Sequence, residues 1–244
     1  MIPPTSIDGT DITGATIDGT DVTEITVGGD VVFSAEATLP TQNLIHRYDF
    51  SASSTTTTFV EDLAGSDDLT TGSFQGFRTL NGLQVGDFDD DFIKGSWSSS
   101  PSEPFSYATV IKFDDTDLPA NIPIDGFNEF LHAVVYNDAQ GGIGIFQGNA
   151  LGFSQNVTLN IKHVYVTEFD STDELFIDGT SVISGDAGSL VPTGITLGAD
   201  HQDRSFTGFD GVIAEVLVYD SDLSTSPARA DVEAYLGDKW GITV

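Results

Sequence analysis

The residues with the most chemistry in this chain are its carboxylates, and their spacing decides what they could do. Glu168-Phe169-Asp170-Ser171-Thr172-Asp173-Glu174 gathers four acids in seven residues. Glycoside hydrolysis with retention needs a carboxylate nucleophile and a second carboxyl group as acid/base, about 5 to 5.5 Å apart. Asp170-Ser171-Thr172-Asp173 reads instead as a turn, so these acids flank a hairpin tip and do not line a cleft. On that reading the stretch is not catalytic and the chain is expected not to be an enzyme. A second group, Asp62, Asp67 and Asp68, sits in the glycine-bearing loop Glu61 to Asp68. Calcium takes hard oxygen ligands at about 2.3 to 2.6 Å, which makes these three aspartates the expected metal ligands and calcium the expected ion. Asp87 to Asp91 is denser in acid, but alternate residues of a strand point to opposite faces and cannot converge on one ion. No segment has the spacing of an EF-hand loop.

Other catalytic arrangements are absent. His46, His132, His163 and His201 are scattered, and none stands beside a serine or aspartate in a nucleophile motif. His132 and His163 fall in expected strands, as packed and hydrogen-bonded rings. No glycine-rich loop joins a strand to a helix in the way a phosphate site requires. Sugar binding asks for aromatic rings beside polar loops. Trp97, in the polar segment Gly95 to Ser100, is the first candidate for such a ring, with Tyr136 and Phe153 behind it. Asn156-Val157-Thr158 is the one glycosylation sequon.

The elements that would position these residues are mostly strands. Gly211 to Tyr219 is an apolar strand in which Val212, Ala214, Val216 and Val218 alternate with Ile213, Leu217 and Tyr219. Glu215 is its only charge, so both faces are expected to be covered, with Glu215 at the rim or in solvent. Ser226 suits an N-cap and Pro227 the first helical position. Val232, Tyr235 and Leu236 then share a helical face, with Trp240 one turn on. Upstream, Leu44 to Phe50, Leu83 to Val85, Phe92-Ile93, Phe105 to Phe113, Phe130 to Tyr136, Ile143 to Phe146, Val157 to Phe169 and Glu174 to Ile177 read as strands. Asp178-Gly179 turns the last of these into Ser181 to Ser184, and Gly194 to Gly198 follows. About a dozen short strands with turn signals every eight to twelve residues predict a β-sandwich or barrel.

Composition bounds the setting. Against 38 acidic residues stand 8 Lys plus Arg, a formal net charge of -30, and 29 of the acids are Asp. Yet 39% of residues are hydrophobic and 17 are Phe, so a core can form. Such a charge repels itself in dilute salt. At 1 M salt the Debye length falls to about 3 Å and the repulsion is screened. The balance points to a protein made for molar salt, as in a halophilic archaeon. It also argues against nucleic-acid partners and anionic membrane surfaces, since there is no basic patch. There is no Cys, hence no disulfide or thiolate chemistry, and no apolar run long enough to span a membrane. The N-terminus lacks a basic start and an apolar core, so no secretion signal is expected.

Residues 1–40 are organised differently. Ile7-Asp8-Gly9-Thr10-Asp11-Ile12-Thr13 recurs as Ile17-Asp18-Gly19-Thr20-Asp21-Val22-Thr23, and a weaker copy runs from Ile25 to Phe33. Each pairs β-branched residues with an Asp-Gly or Gly-Gly turn, a hairpin signal. Three such hairpins bury little surface and need something to pack on. Residues 1–40 therefore read as an anchoring or oligomerisation region, and 41–244 as the main domain.

From residue 43 to 242 the order of segments resembles the concanavalin A-like, laminin G-like jelly rolls. His163-Val164-Tyr165-Val166, Leu175-Phe176-Ile177-Asp178-Gly179, Leu197-Gly198-Ala199, Gly211 to Val216 and the closing Tyr235-Leu236 to Lys239-Trp240-Gly241 occupy that family's motif positions. The resemblance implies an antiparallel jelly-roll β-sandwich with one short C-terminal helix, and a binding role toward glycans or glycoproteins, sometimes through calcium. Glu168 to Glu174 also approximates the catalytic strand of the laminarinase-like glycosidases, but departs from it at Asp173. Together these readings predict a non-enzymatic virion structural protein of a halophilic archaeal virus. It would display a lectin-like domain to a host surface glycan or glycoprotein, with residues 1–40 joining other virion proteins in a homo-oligomer. The alternative is a cell-surface or secreted carbohydrate-binding adhesin of a haloarchaeon.

Overall fold

The computed structural model describes residues 6–244 except 8–9, 12–14, 18–19, 23, 28–29, 35–36, 116–118, 138–141, 156–157, 203–206 and 224–226. Side chains are described from Ala37 onward, save those of residues 154, 155 and 227. The expected cap at Ser226 and the sequon at Asn156 lie outside the described residues. Contacts divide the chain into Met1–Thr38 and Leu39–Val244.

The first unit is three separate antiparallel hairpins. They are β1 (Ser6–Ile7) with β2 (Thr10–Asp11), β3 (Ala15–Ile17) with β4 (Thr20–Val22), and β5 (Glu24–Val27) with β6 (Asp30–Ser34). Ile7 pairs with Thr10, Ile17 with Thr20 and Val27 with Asp30, so the register repeats every ten residues. In each hairpin two residues of sequence separate the paired strands, the spacing that Asp-Gly and Gly-Gly favour.

The second unit is a sandwich of two antiparallel sheets. One contains β7 (Leu44–Asp49), β9 (Gly76–Leu80), β10 (Leu83–Asp89), β12 (Phe105–Phe113), β17 (Lys162–Phe169), β18 (Asp173–Ile177), β19 (Thr180–Gly185) and β21 (Asp210–Tyr219). Their order is β19-β18-β17-β12-β21-β10-β9, and β7 shares the β10 edge of β21. The other sheet contains β8 (Thr71–Ser73), β11 (Phe92–Ser96), β13 (Ala120–Gly126), β14 (His132–Asn137), β15 (Gly142–Phe146), β16 (Ala150–Gln155) and β20 (Gly194–Leu197), in the order β16-β15-β14-β13-β20-β11-β8. One helix, α1 (Pro227–Trp240), closes the chain, and no helix among the described residues is long and apolar enough to cross a membrane.

The core between the sheets is aromatic, with Tyr48, Phe50, Phe88, Phe105, Phe113, Phe169 and Phe209 fully buried beside Ile93, Ile124 and Leu197. Burying each such side chain contributes about 1.5 to 3 kcal/mol. A second apolar cluster joins the outer face of the eight-stranded sheet to α1, through Val110, Val166, Leu217, Val232, Leu236 and Trp240. Leu39, where this unit begins, and Ile242, near its end, pack against this same cluster. The last strand is therefore covered on both faces, but not by the alternation expected. Val212 and Ala214 join Leu217 and Tyr219 under the helix, while Ile213, Val216 and Val218 face the inner core. The cause is a bulge: Val110 opposes Glu215 and Ile111 opposes Ile213, leaving Ala214 as the extra residue. One inserted residue inverts the parity of everything beyond it.

Glu215 also departs from expectation. It is fully buried, not at a rim, and accepts hydrogen bonds from Arg47 Nε (2.9 Å), Lys239 Nζ (2.7 Å), Tyr235 Oη (3.0 Å) and Trp240 Nε1 (3.1 Å). Asp49 takes the second bond from each cation, at 2.9 Å from Arg47 and 2.6 Å from Lys239. This network locks α1 onto the first and last strands of the sheet.

Candidate functional site

The expected metal loop is internally satisfied. The Asp62 carboxylate is buried and takes the His46 Nδ1 bond at 2.7 Å. It also accepts the backbone N–H groups of Arg47 (3.0 Å), Ala64 (3.2 Å), Gly65 (3.0 Å) and Asp67 (3.3 Å). Burial alone would push this carboxyl up, but the bonds from His46 and the backbone outweigh it and hold it below the ordinary aspartate value. Asp68 accepts the Asp62 N–H at 2.9 Å. Asp67 accepts the N–H (3.0 Å) and Oγ–H (2.9 Å) of Ser98. Gly65 is required here, because a Cβ would meet Asp62 Oδ2 at 2.4 Å and the Ile45 carbonyl at 2.9 Å.

His46, Asp62 and Asp67 each bring a ligand atom within 4.8 Å of the others, close enough to meet one ion. Their chemistry does not fit the expected calcium. A carboxylate has about four acceptor positions; those of Asp62 already face five donors. The third member is an imidazole, whereas calcium takes oxygen. Asp68 is turned to the backbone. What the arrangement does is pin the loop to β7.

Trp97 belongs to the same construction and is not the exposed platform expected of it. It is 7% exposed, stacks on His46 at 4.4 Å, and donates from Nε1 to Tyr48 Oη at 2.9 Å. Tyr48 in turn donates to the Asp67 carbonyl at 2.9 Å. A ring flanked by serines was expected outside, but the neighbouring His46 and Tyr48 give it an apolar and hydrogen-bonded seat. A shallow groove of about 330 Å³ runs over this floor, lined by His46, Asp67, Ser98, Ser100 and Asp220. Tyr136 is half-buried against the inner core.

Phe153 lies elsewhere, on the outer face of the seven-stranded sheet, and it is not alone there. Its φ of 65° lays the ring over Gly144, where a Cβ would come within 2.8 Å of it. Ile93, Ile124, Ile195 and Leu197 point into the core, so the residues between them point outward. Thr71, Lys94, Thr196 and Asp125 stand in one register row across β8, β11, β20 and β13. His132 and Phe146 are paired on β14 and β15.

Asp125 is the buried hinge of this face. It accepts the N–H groups of Gly126 (2.8 Å) and Leu131 (2.8 Å), and both the N–H (2.7 Å) and Nδ1 (2.9 Å) of His201. His132 Nδ1 lies 3.1 Å from its other oxygen. Rings enclose the two imidazoles: Phe130 edge-on to His201 at 4.2 Å, Phe146 tilted on His132 at 5.4 Å. Lys94 donates to the His201 carbonyl at 3.0 Å, with its ammonium 5.3 Å from the Phe92 ring and 5.5 Å from Phe127. The result is a strip of half-buried rings (Phe92, Phe127, Phe130, Phe146 and Phe153) interleaved with two imidazoles and an ammonium. Flat apolar faces beside fixed donors are what a sugar ring needs. Only Phe153 of this set was picked out from sequence. The available signal was a polar residue at an outward position in an apolar strand, Lys94 after Ile93 and His132 between Leu131 and Ala133.

The carboxylates read as a hairpin tip behave as one. Asp173 accepts the N–H groups of Asp170 (3.1 Å) and Ala187 (2.6 Å), and Glu168 opposes Glu174 across the β17–β18 ladder.

No protein-family model matches this chain, and no curated protein sequence does. Solved structures do. A Trypanosoma rangeli sialidase in complex with sialic acid matches 91% of this chain and 37% of its own length, with a TM-score of 0.61 at 13% identity. Domain 4 of AbnA, an extracellular arabinanase from Geobacillus stearothermophilus, in complex with arabinotriose, matches 79% of this chain and 98% of itself, at a TM-score of 0.56 and 13% identity. A botulinum neurotoxin type C structure, concerned with interaction with two ganglioside molecules, matches 84% of this chain and 55% of its own, at 0.55 and 10%. The chain thus spans about a third of the sialidases it matches, and at these identities the likeness establishes the fold alone. It still corrects one expectation. Enzymes, including a sialidase mutant displaying trans-sialidase activity, contain a region of this architecture, so the exclusion of enzymatic activity is withdrawn.

Proposed function

We propose that residues 39–244 form a carbohydrate-binding β-sandwich that receives a glycan on the outer face of its seven-stranded sheet. The observation that carries this reading is the strip of five half-buried phenylalanine rings on one face with His132, His201 and Lys94. The arabinotriose, sialic acid and ganglioside named for structurally similar proteins support it as analogy. The setting in this reading is the surface of a halophilic archaeal virus, where the module meets a host surface glycan or glycoprotein. Residues 1–40 join it there to other virion proteins and to copies of itself. The net charge of -30 and the separate hairpin unit support that setting.

The test is a panel of oligosaccharides offered to the purified chain in molar KCl. Binding by the parent, weakened about threefold to tenfold by Phe146→Ala and by Phe153→Ala, is the expected result, since an aromatic contact contributes about 0.5 to 1.5 kcal/mol. Binding that ignores both substitutions would move the site elsewhere. For the setting, the purified chain should block virus adsorption to haloarchaeal cells; adsorption undiminished at saturating protein would end it.

A further inference from the structure

One basic residue is placed differently from the rest. Of the eight, Arg204 lies outside the described residues. Five of the other seven meet carboxylates: Arg47 and Lys239 with Asp49 and Glu215, Arg78 with Asp87 and Asp114, Lys112 with Asp114, and Arg229 with Glu233. Lys162 donates to the Trp240 carbonyl, at the C-terminal end of α1, where a cation complements the helix dipole. Lys94 serves neither a carboxylate nor a helix end. It touches one carbonyl, that of His201, and two rings. In a chain with 38 acids and 8 bases, Lys162 and Lys94 are the two cations with no carboxylate ion pair among the described residues, and of these Lys94 alone lies among the rings. It stands at the β11 end of the ring strip, beside Phe92 and Phe127.

We infer that Lys94 meets an anionic group of the ligand, and that the glycan taken by this face is an acidic one, bearing a carboxylate or a sulfate ester. The inference rests on the glycan reading above and gives it a substrate class. An ammonium carries three N–H donors; one is used on His201, which leaves two for a ligand oxygen. Phe92 and Phe127 hold the side chain against the sheet, so little freedom is lost on binding. The nearest acid in the same register row is Asp125, two strands away and about 10 Å at strand spacing. Its oxygens already face Gly126, Leu131, His201 and His132. The remaining obstacle is the field of the whole molecule, which repels anions. At molar salt that field is screened within about 3 Å, whereas a direct N–H···O contact survives. An acidic ligand therefore binds more tightly as salt rises toward 1 M, the reverse of ordinary charge attraction.

The experiment uses the full-length chain in about 1 M KCl with three matched oligosaccharides: neutral, uronate-bearing and sulfated. Calorimetry reads affinity for the parent, Lys94→Gln and Lys94→Arg, with circular dichroism confirming the fold. The parent is expected to favour at least one acidic form about tenfold over the neutral one. Lys94→Gln should abolish that preference without changing neutral-sugar affinity, and Lys94→Arg should restore most of it. Preference for the uronate alone would assign a carboxylate, for the sulfated form alone a sulfate. Equal affinity for neutral and acidic sugars, or a preference that persists in Lys94→Gln, overturns the inference while leaving the glycan reading intact. Failure to bind any of the three ends both.

Discussion

Glu215 gathers four donors from two elements at one carboxylate, and no pattern in the sequence announces it. It was legible as the single charge in an apolar strand; its partner Arg47 stands 168 residues away. A buried carboxylate is tolerable only when its partners satisfy it, and removing it leaves two cations facing Asp49 alone. Glu215→Ala should lower stability by about 3 to 5 kcal/mol in urea unfolding at molar KCl. A loss below about 1 kcal/mol would mean that the network behaves as exposed pairs do. The candidate site illustrates the same limit at residue level. Lys94 and His132 carry ordinary side chains at ordinary spacing, and only the register of separate strands reveals that they share a face with Phe153. Trp97 misled because a polar neighbourhood in sequence does not imply a polar neighbourhood in space.

Among elements, the strands with unbroken alternation were legible and the irregular ones were not. Phe105 to Phe113 was read with its bounds intact. β13 was missed because Pro123 and Gly126 argue against a central strand; a register shift between Asn121 and Ile124 accommodates the proline. β16 was missed because Gly152 and Phe153 both adopt positive φ, which no periodicity encodes. The strand begun at Val157 starts only at Lys162. The acidic loop is legible as a loop, but the backbone N–H groups that the Asp62 carboxylate collects are not. Gly65→Ala tests that arrangement, because the added methyl collides with Asp62 Oδ2 and the Ile45 carbonyl. We expect a loss of about 1 to 3 kcal/mol. The fluorescence of Trp97, stacked on His46 beside this loop, should change with it. A variant as stable as the parent, with unchanged fluorescence, would show that the loop is free to rearrange.

For the whole molecule, charge and fold were both legible, because -30 and a long series of short strands are bulk properties that need no geometry. The charge makes its own prediction. Raising KCl from about 0.1 M to about 1 M shortens the Debye length from roughly 10 Å to roughly 3 Å. The thermal unfolding midpoint should climb steadily over that range as self-repulsion is screened. A flat or falling midpoint would remove the reason for assigning the chain to molar salt.

Leu39 and Ile242 both pack into the cluster beneath α1, on the side of the sandwich away from the ring strip. That gives residues 39–244 a front and a back. A label, bead or sensor surface attached through either end of this unit meets the back, so tethering by a terminal tag leaves the front open to ligand. Coupling through amines does the opposite. Lysines are scarce here, and Lys94 is among the few that a reactive ester could find, so an amine-immobilised sample would silence the face it was meant to display.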